Sequence, residues 1–545
     1  MKRFWLATVA IIALSGGSAL AADMPVKAAP IVCPACNWSG FYIGGNVGGS
    51  IGHDATTDAI SLIPPGANAA GVTNPISSTA YPQSLSGFVG GGQAGFNWQV
   101  GKFVVGAEAD WDWSGQRDNL LVQNWISSTV VVAPSRYVLT DEHKLNWLAT
   151  VRARLGWANG YSLWYVTGGA AWGGLQSNYT FVDGGSNVFA TAPASASFGT
   201  STKSGWTVGG GVETSLAWMG ANHWSVKMEY LYVDLGNRLD SFTVPVARGG
   251  AAYTISSSTA IRDHIVRLGL NYRFGGDKFA PQPPTPGPCP TCNWQGFYVG
   301  VNAGGIVGQD RSRDIDSFIP PGGNAGVINP LTDVAHTQSG VGGLVGGQAG
   351  YNWQIGKVVV GAEGDLDWSS KHDTFSNVNF YGSTVFVAGT QNQIYTDQKM
   401  DWLATLRARI GWTENCFLWY VTGGAAWAKV DSSYAFQAVP GVAGGFTLFG
   451  TAPFAANTST TKSGWTVGGG VETSLAWLGA SDRWSAKMEY LYVDLGTVAN
   501  AFVTPANGIP LVAAVHNYTS YDTIHDHIIR VGLNYRFAGP VVAKY

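Results

Sequence analysis

Charge is what this chain has least of. Only 12% of its 545 residues are Asp, Glu, Lys or Arg, and they nearly cancel, to a net charge of −3. No basic stripe stands out, which excludes a nucleic-acid partner. Long apolar runs are also missing. Beyond the N-terminus nothing approaches the ~20 residues of a membrane helix, so a bilayer-spanning form would have to be a closed barrel. The nine histidines have no metal-ligand spacing, and the sequence predicts no metal site and no cofactor. Cysteine occurs five times, as Cys33, Cys36, Cys289, Cys292 and Cys416.

What is plentiful is glycine (74) and tryptophan (23). Glycine and proline at this level suit disorder, but abundant aromatics argue for a packed fold. The N-terminus reads as a secretory signal over residues 1–21. Lys2 and Arg3 start it, residues 7–14 form a short apolar core, and Ala19-Leu20-Ala21 is a small-x-small cleavage site. Export permits disulfides. Cys33-Pro-Ala-Cys36 and Cys289-Pro-Thr-Cys292 have redox or zinc spacing, yet no βαβ pattern follows either. These four are therefore structural disulfide candidates beside a periplasmic mouth. Cys416 stands where the first copy has Tyr161 and reads as a free thiol.

An internal repeat of about 255–260 residues dominates the chain. Asn37 to Tyr42 returns as Asn293 to Tyr298, and Asp263 to Phe274 as Asp526 to Phe537. Residues 33–274 and 289–537 are the two predicted domains. A proline-rich linker over 275–288 joins them and a short tail, 538–545, follows. Eight strands are predicted in copy one, near 38–49, 86–98, 102–113, 144–157, 161–175, 205–218, 223–235 and 264–274. Short and long connections alternate, as they do in outer-membrane barrels with brief periplasmic turns and long external loops.

The strand faces agree. Val266, Leu268, Leu270, Tyr272 and Phe274 share one side of the closing strand, and Arg267, Asn271 and Arg273 the other. Leu145, Trp147, Ala149, Val151, Ala153, Leu155 and Trp157 are predicted outward, with Asn146, Thr150, Arg152 and Arg154 inward. An arginine facing lipid at mid-membrane costs about 2–4 kcal/mol, so the charges belong inside. An eight-stranded lumen is only wide enough to be filled by side chains. A lumen ion-pair network is therefore predicted from Glu108, Asp110, Glu213 and Glu229 with Arg152, Arg154, Lys227, Arg267 and Arg273. Its second-copy counterpart is Glu363, Asp365, Glu472 and Glu489 with Arg407, Arg409, Lys487, Arg530 and Arg536. The functional alternative for these charges is an ion-selective constriction. No substrate cleft is foreseen among them, hence no enzyme. Gly90 to Gly95 fits GxGxxG, but no helix pattern follows and the second copy has Val345 at the first glycine.

With these residues in view, each copy resembles the alphaproteobacterial outer-membrane immunogenic proteins, porin-family chains with an opacity-type eight-stranded barrel. The resemblance rests on the opening Trp38 to Tyr42 and Trp294 to Tyr298, and on Val105 to Glu108 and Val360 to Glu363. Tyr165 to Ala171, Tyr420 to Ala426 and the closing Gly-Leu-Asn-Tyr-Arg-Phe of each copy complete it. It implies an outer-membrane location, an exposed antigenic surface, and Phe274 or Phe537 as the signal read by the barrel-assembly machinery. The fold class that follows is all-β: two tandem eight-stranded antiparallel transmembrane β-barrels, or alternatively one sixteen-stranded barrel. The first arrangement points to structural and surface-display work, with outer-membrane lipids and an external ligand or host surface at the loops as partners. The second points to a porin-type channel for small solutes.

Overall fold

A computed structural model describes residues 37–63, 77–126, 135–159, 161–183, 194–245, 252–274, 292–319, 332–381, 390–414, 416–439, 454–476, 481, 483–505 and 515–537. The predicted signal peptide, the linker, the tail, Cys33, Cys36 and Cys289 lie outside them. Copy one forms β1 (Gly40–Gly52), β2 (Asp54–Ile63), β3 (Ser77–Gln83), β4 (Ser86–Val100), β5 (Phe103–Ile126), β6 (Ser135–Asn159), β7 (Ser162–Asp183), β8 (Ala194–Ser215), β9 (Trp224–Pro245) and β10 (Ala252–Arg273). Copy two forms β11 (Gly296–Gly308), β12 (Asp310–Ile319), β13 (Thr332–Gln338), β14 (Val341–Ile355), β15 (Val358–Ser369), β16 (His372–Tyr381), β17 (Thr390–Glu414), β18 (Phe417–Val439), β19 (Phe454–Ser474), β20 (Trp484–Pro505) and β21 (Val515–Arg536). No helix among the described residues is long and apolar enough to cross a membrane.

Each copy closes on itself. In copy one β1 pairs with β4 on one side and with β10 on the other, Tyr42 opposite Arg273. Consecutive antiparallel pairs from β4 to β10 complete an eight-stranded ring. Copy two closes in the same way, with Tyr298 of β11 opposite Arg536 of β21. The merged sixteen-stranded barrel does not form, because the first and last strands of each copy bond to each other. Phe274 N–H and Phe537 N–H add one bond each, to the carbonyls of Phe41 and Phe297.

The alternation places apolar side chains on the lipid side. Val105, Val151, Leu155, Leu268 and Trp113 are exposed, whereas Glu108, Arg152 and Arg267 are each 1% exposed. Strands run well past the roughly 9–11 residues that cross a bilayer, so much of each predicted external loop is ladder. The stretch after β1 holds the hairpin of β2 and β3. The reading of β6 needs one correction. Its inward series is Arg154, Arg152, Thr150 and Leu148, and then Leu145 and His143, because the register shifts between Leu145 and Trp147. One extra residue reverses the facing of everything beyond it. Leu145 therefore points inward, and Asn146 lies on the outer surface beside Gln176 and Thr200. A similar reversal in β9 falls at Gly236, whose φ of 73° suits glycine.

The cysteine reading is corrected too. Cys416 is bonded to Cys292, 124 residues away, and is not a free thiol. The pair packs with Trp294, Val359 and Leu418. In copy one Tyr161 stands at the Cys416 position and packs against Trp38, Val104 and Leu163.

The two barrels touch over an apolar face. Val212 and Met228 meet Phe417 and Val471, with Trp164, Trp419 and Met488 packed around them. Beside this contact is a cavity of about 1070 Å³, lined by Val47, Ile51 and Leu268 of one barrel and Ile410, Val421 and Val467 of the other. Above it the backbones join. β13 pairs with the outer part of β5, Asp333 opposite Gln123, and β3 pairs with β16, Ser78 opposite Val378. Aligning the repeats puts Ser78 on Asp333 and Gln123 on Val378. The two ladders are thus the same contact made twice, an isologous interface between covalently joined copies. Thr79 Oγ1 donates to Asn377 Oδ1 (3.1 Å) within one of them.

This interface predicts that the halves stay together without the linker. A protease site placed in residues 275–288 and cut after folding leaves the halves co-eluting in mild detergent. Proline at both Thr79 and Val334 removes ladder donors and releases the halves as separate eight-stranded barrels. Separation of the cut but otherwise unaltered chain would contradict this interface.

Candidate functional site: the charged barrel axis

The inward positions of five strands, β5, β6, β8, β9 and β10 in copy one, bring the charges together at mid-height. In copy one Arg152 of β6 is the hub. It donates to Asp110 (2.7 Å), Glu108 (2.5 Å), Glu229 (2.9 Å) and the Thr150 hydroxyl (2.9 Å). Arg267 of β10 donates to Glu229 (2.8 Å), Asp110 (2.8 Å) and Asp112 (2.7 Å). Lys227 of β9 reaches Glu108 at 2.7 Å. Arg154 binds Glu213 (2.8 Å) and the Tyr42 hydroxyl (2.8 Å), and its guanidinium lies 3.9 Å from the centre of the Tyr165 ring. Ser225 and Asn271 also donate to Glu213.

Copy two repeats this arrangement. Arg407 holds Glu363 (2.6 Å), Asp365 (2.7 Å) and Glu489 (3.0 Å), and Arg530 holds Glu489, Asp365 and Asp367. Lys487 donates to Glu363 (2.7 Å) and Arg409 to Glu472 (3.2 Å). Arg273 and Arg536 are set apart from their networks. Each lies toward the periplasmic end, over the rings of Trp38 (4.7 Å) and Trp294 (5.3 Å), and Arg273 also donates to Ser215.

Several participants were not singled out from sequence. Asp112 and Asp367 each take a bond from the arginine of the closing strand. Tyr42 donates to Glu108 and Tyr165 to Glu229, as do Tyr298 to Glu363 and Tyr420 to Glu489. Their signal was period-two placement on the charged face. Tyrosine is common on both faces of such strands, so its type alone was uninformative. The glycines of the rejected GxGxxG match have a steric role here. A Cβ at Gly95 would collide with the Tyr42 hydroxyl, and one at Gly350 with that of Tyr298.

Five carboxylates (Glu108, Asp110, Asp112, Glu213, Glu229) thus share one lumen with five cationic side chains (Arg152, Arg154, Lys227, Arg267, Arg273). Arginine forks suit this work, since one guanidinium can satisfy three acceptors. The arrangement is a solid, near-neutral plug. Among the described residues no three His, Cys, Asp or Glu side chains converge as metal ligands. His264 and His527 sit at the outer girdle, each hydrogen-bonded through Nδ1 to a tyrosine hydroxyl, that of Tyr230 and of Tyr490 respectively.

The model of the outer membrane protein beta-barrel domain matches residues 9–274 and again 291–537. The chain belongs to that family. It is 33% identical over 286 residues to the 31 kDa outer-membrane immunogenic protein of Brucella melitensis, covering 50% of this chain and 100% of that one. It is 29% identical over 209 residues to the 22 kDa outer membrane protein of Rhizobium leguminosarum, covering 38% and 66%. Solved structures include Ail of Yersinia pestis (10% identity, 43% of this chain and 99% of that one, TM-score 0.15) and the toluene transporter TbuX of Ralstonia pickettii (8%, 92% and 90%, TM-score 0.20). At such scores neither bears on function. The protein is an outer-membrane β-barrel protein, a tandem duplication of the immunogenic-protein type.

Removing one hub from the plug should be costly. Arg152→Met leaves three carboxylates without their shared partner. Breaking a buried pair from one side costs about 3–5 kcal/mol, so the heat-modifiable gel shift should move to markedly lower temperature. Arg152→Lys restores charge without the fork and should fall between. Unchanged heat-modifiability in Arg152→Met would contradict the network's structural weight.

Proposed function

We propose that the protein is a structural and display element of the outer membrane, with two closed barrels acting as anchors for projecting strands and loops. The observation that carries this reading is the occupied axis. At mid-height of each barrel, buried arginines and carboxylates bonded to one another occupy the axis of the ring. Solute passage would need the network to come apart, which the same buried-pair energetics oppose.

The outward band fits the hydrocarbon of the outer membrane, with Phe41, Trp98, Phe103 and Trp224 suited to one interface and Trp111, Trp113 and Trp206 to the other. The closing aromatics Phe274 and Phe537 fit a role as terminal-strand signals for the barrel-assembly machinery. What projects outward is a set of stiff ladders, β5 to β7 and β9 to β10 in copy one with their counterparts in copy two. Such ladders suit contact with an external ligand or host surface. The relatives' name as immunogenic proteins agrees with a surface accessible from outside. Catalysis has no place in this scheme, because the charged groups are locked into mutual bonds and meet no cleft.

Planar-bilayer recording tests the proposal. The purified full chain should give no steady ohmic step, and a double Arg152→Ala, Arg267→Ala variant that still folds should give small, irregular openings. A large, stable conductance from the unaltered chain would overturn the anchoring role in favour of transport.

A further inference from the structure

Above the plugs the two copies differ in one buried seat, where copy two has Lys371 and Ile306 and copy one has Gln116 and Ser50. In copy two Lys371, 4% exposed, lies between two fully buried carboxylates. Its Nζ is 2.7 Å from Asp310 Oδ2 and 2.6 Å from Asp526 Oδ1. Asp310 is also held by the His525 N–H through its other oxygen (2.9 Å). The ammonium therefore fills a two-carboxylate seat.

Copy one has the same seat without the ammonium. Asp54 and Asp263 are the counterparts, each 0% exposed. Asp54 Oδ1 accepts from the Arg262 N–H (2.6 Å), as Asp310 does from His525. Asp263 Oδ1 accepts from the Ser50 hydroxyl (3.2 Å). Asp263 is the strongest charged influence on Asp54, with Asp118 acting on it as well. At the Lys371 position stands Gln116, 1% exposed and on the inward series of β5. Both of its amide atoms lack a partner, as do Oδ2 of Asp54 and Oδ2 of Asp263. The Leu85 backbone N–H also acts favourably on the Asp54 carboxylate, although Oδ2 makes no hydrogen bond of ordinary geometry. Among the described residues no lysine, arginine or histidine forms an ion pair with either carboxylate. Two buried carboxylates facing one another without a cation are strongly unfavourable. A buried amide with neither end satisfied adds to the cost.

We propose that copy one binds a hard divalent cation in this seat, where copy two uses its own ammonium. The donors are all oxygen: the carboxylates of Asp54 and Asp263, the Gln116 carbonyl and the Ser50 hydroxyl, with water completing the shell. Oxygen-only sets of this kind select calcium-like ions over thiolate- or imidazole-preferring metals. Two carboxylates neutralise a double charge, so the ion would extend upward the charge balance that the plug achieves below. Copy two needs no such ion, because its seat is already taken.

The experiment uses the full chain folded in detergent and stripped with a chelator, with Ca²⁺ as the probe, read by calorimetric titration and by thermal unfolding. The expected result is saturable uptake of one Ca²⁺ per chain with a rise in unfolding temperature. Gln116→Lys, which places copy two's ammonium in copy one, abolishes the uptake. Lys371→Gln, which empties copy two, adds a second and weaker site, because Ile306 there supplies no counterpart to the Ser50 hydroxyl. Asp263→Asn serves in place of Gln116→Lys if that variant does not show the heat-modifiable gel shift of a folded barrel. Equal uptake by the unaltered chain and by Gln116→Lys would overturn the proposal. So would no saturable uptake, or uptake of a proton between pH 8 and pH 6 that Ca²⁺ does not displace, since the pair would then be sharing a hydrogen ion.

Discussion

A charged group cannot face hydrocarbon cheaply, and that constraint organises this protein. In a ring of eight strands the only alternative is a narrow axis. Charges turned there meet one another without water, so they must arrive in matched numbers and with geometry that lets each acceptor be served. The chain meets this with arginines at the centre, each gripping several carboxylates, and with tyrosines that take up remaining lone pairs. Barrel closure, the face each strand presents to lipid and the charged side chains packed along the axis all follow from that one requirement.

Much of this could be read from the sequence. Alternation in the membrane-spanning strands is clean because lipid tolerates so few exceptions, and the doubling of every motif announced two copies. The charges fell on one face, so residue type and spacing brought most of the plug together, but they placed Arg273 and Arg536 in it, which lie apart, and left out Asp112 and Asp367. Above the membrane the constraint relaxes and the pattern loses its authority. There Leu145 turned inward and Asn146 outward because a bulge inserted one residue, a local event with no marker in composition. Gly236 is the partial exception, since a glycine between two alternating runs is a recognisable place for such a slip.

Contacts between distant segments were the least legible. Cys416 has no equivalent in copy one, and its partner lies 124 residues earlier, so pattern could not join them. The cross-barrel ladders join β3 to β16 and β13 to the outer part of β5 over four and three residue pairs, too few for the sequence to mark one neighbour over another. What decides their pairing is the approach of two whole barrels, which brings free edges within reach.

That junction also bears on how the two halves can change. Two separate but identical subunits meeting across a twofold axis are obliged to be complementary to themselves, so any residue altered on one side is altered on the other. Joining them in a single polypeptide lifts the obligation. Each half becomes free to specialise while the seam between them persists, and a lysine in one half opposite a glutamine in the other is the kind of divergence that only a fused pair can carry.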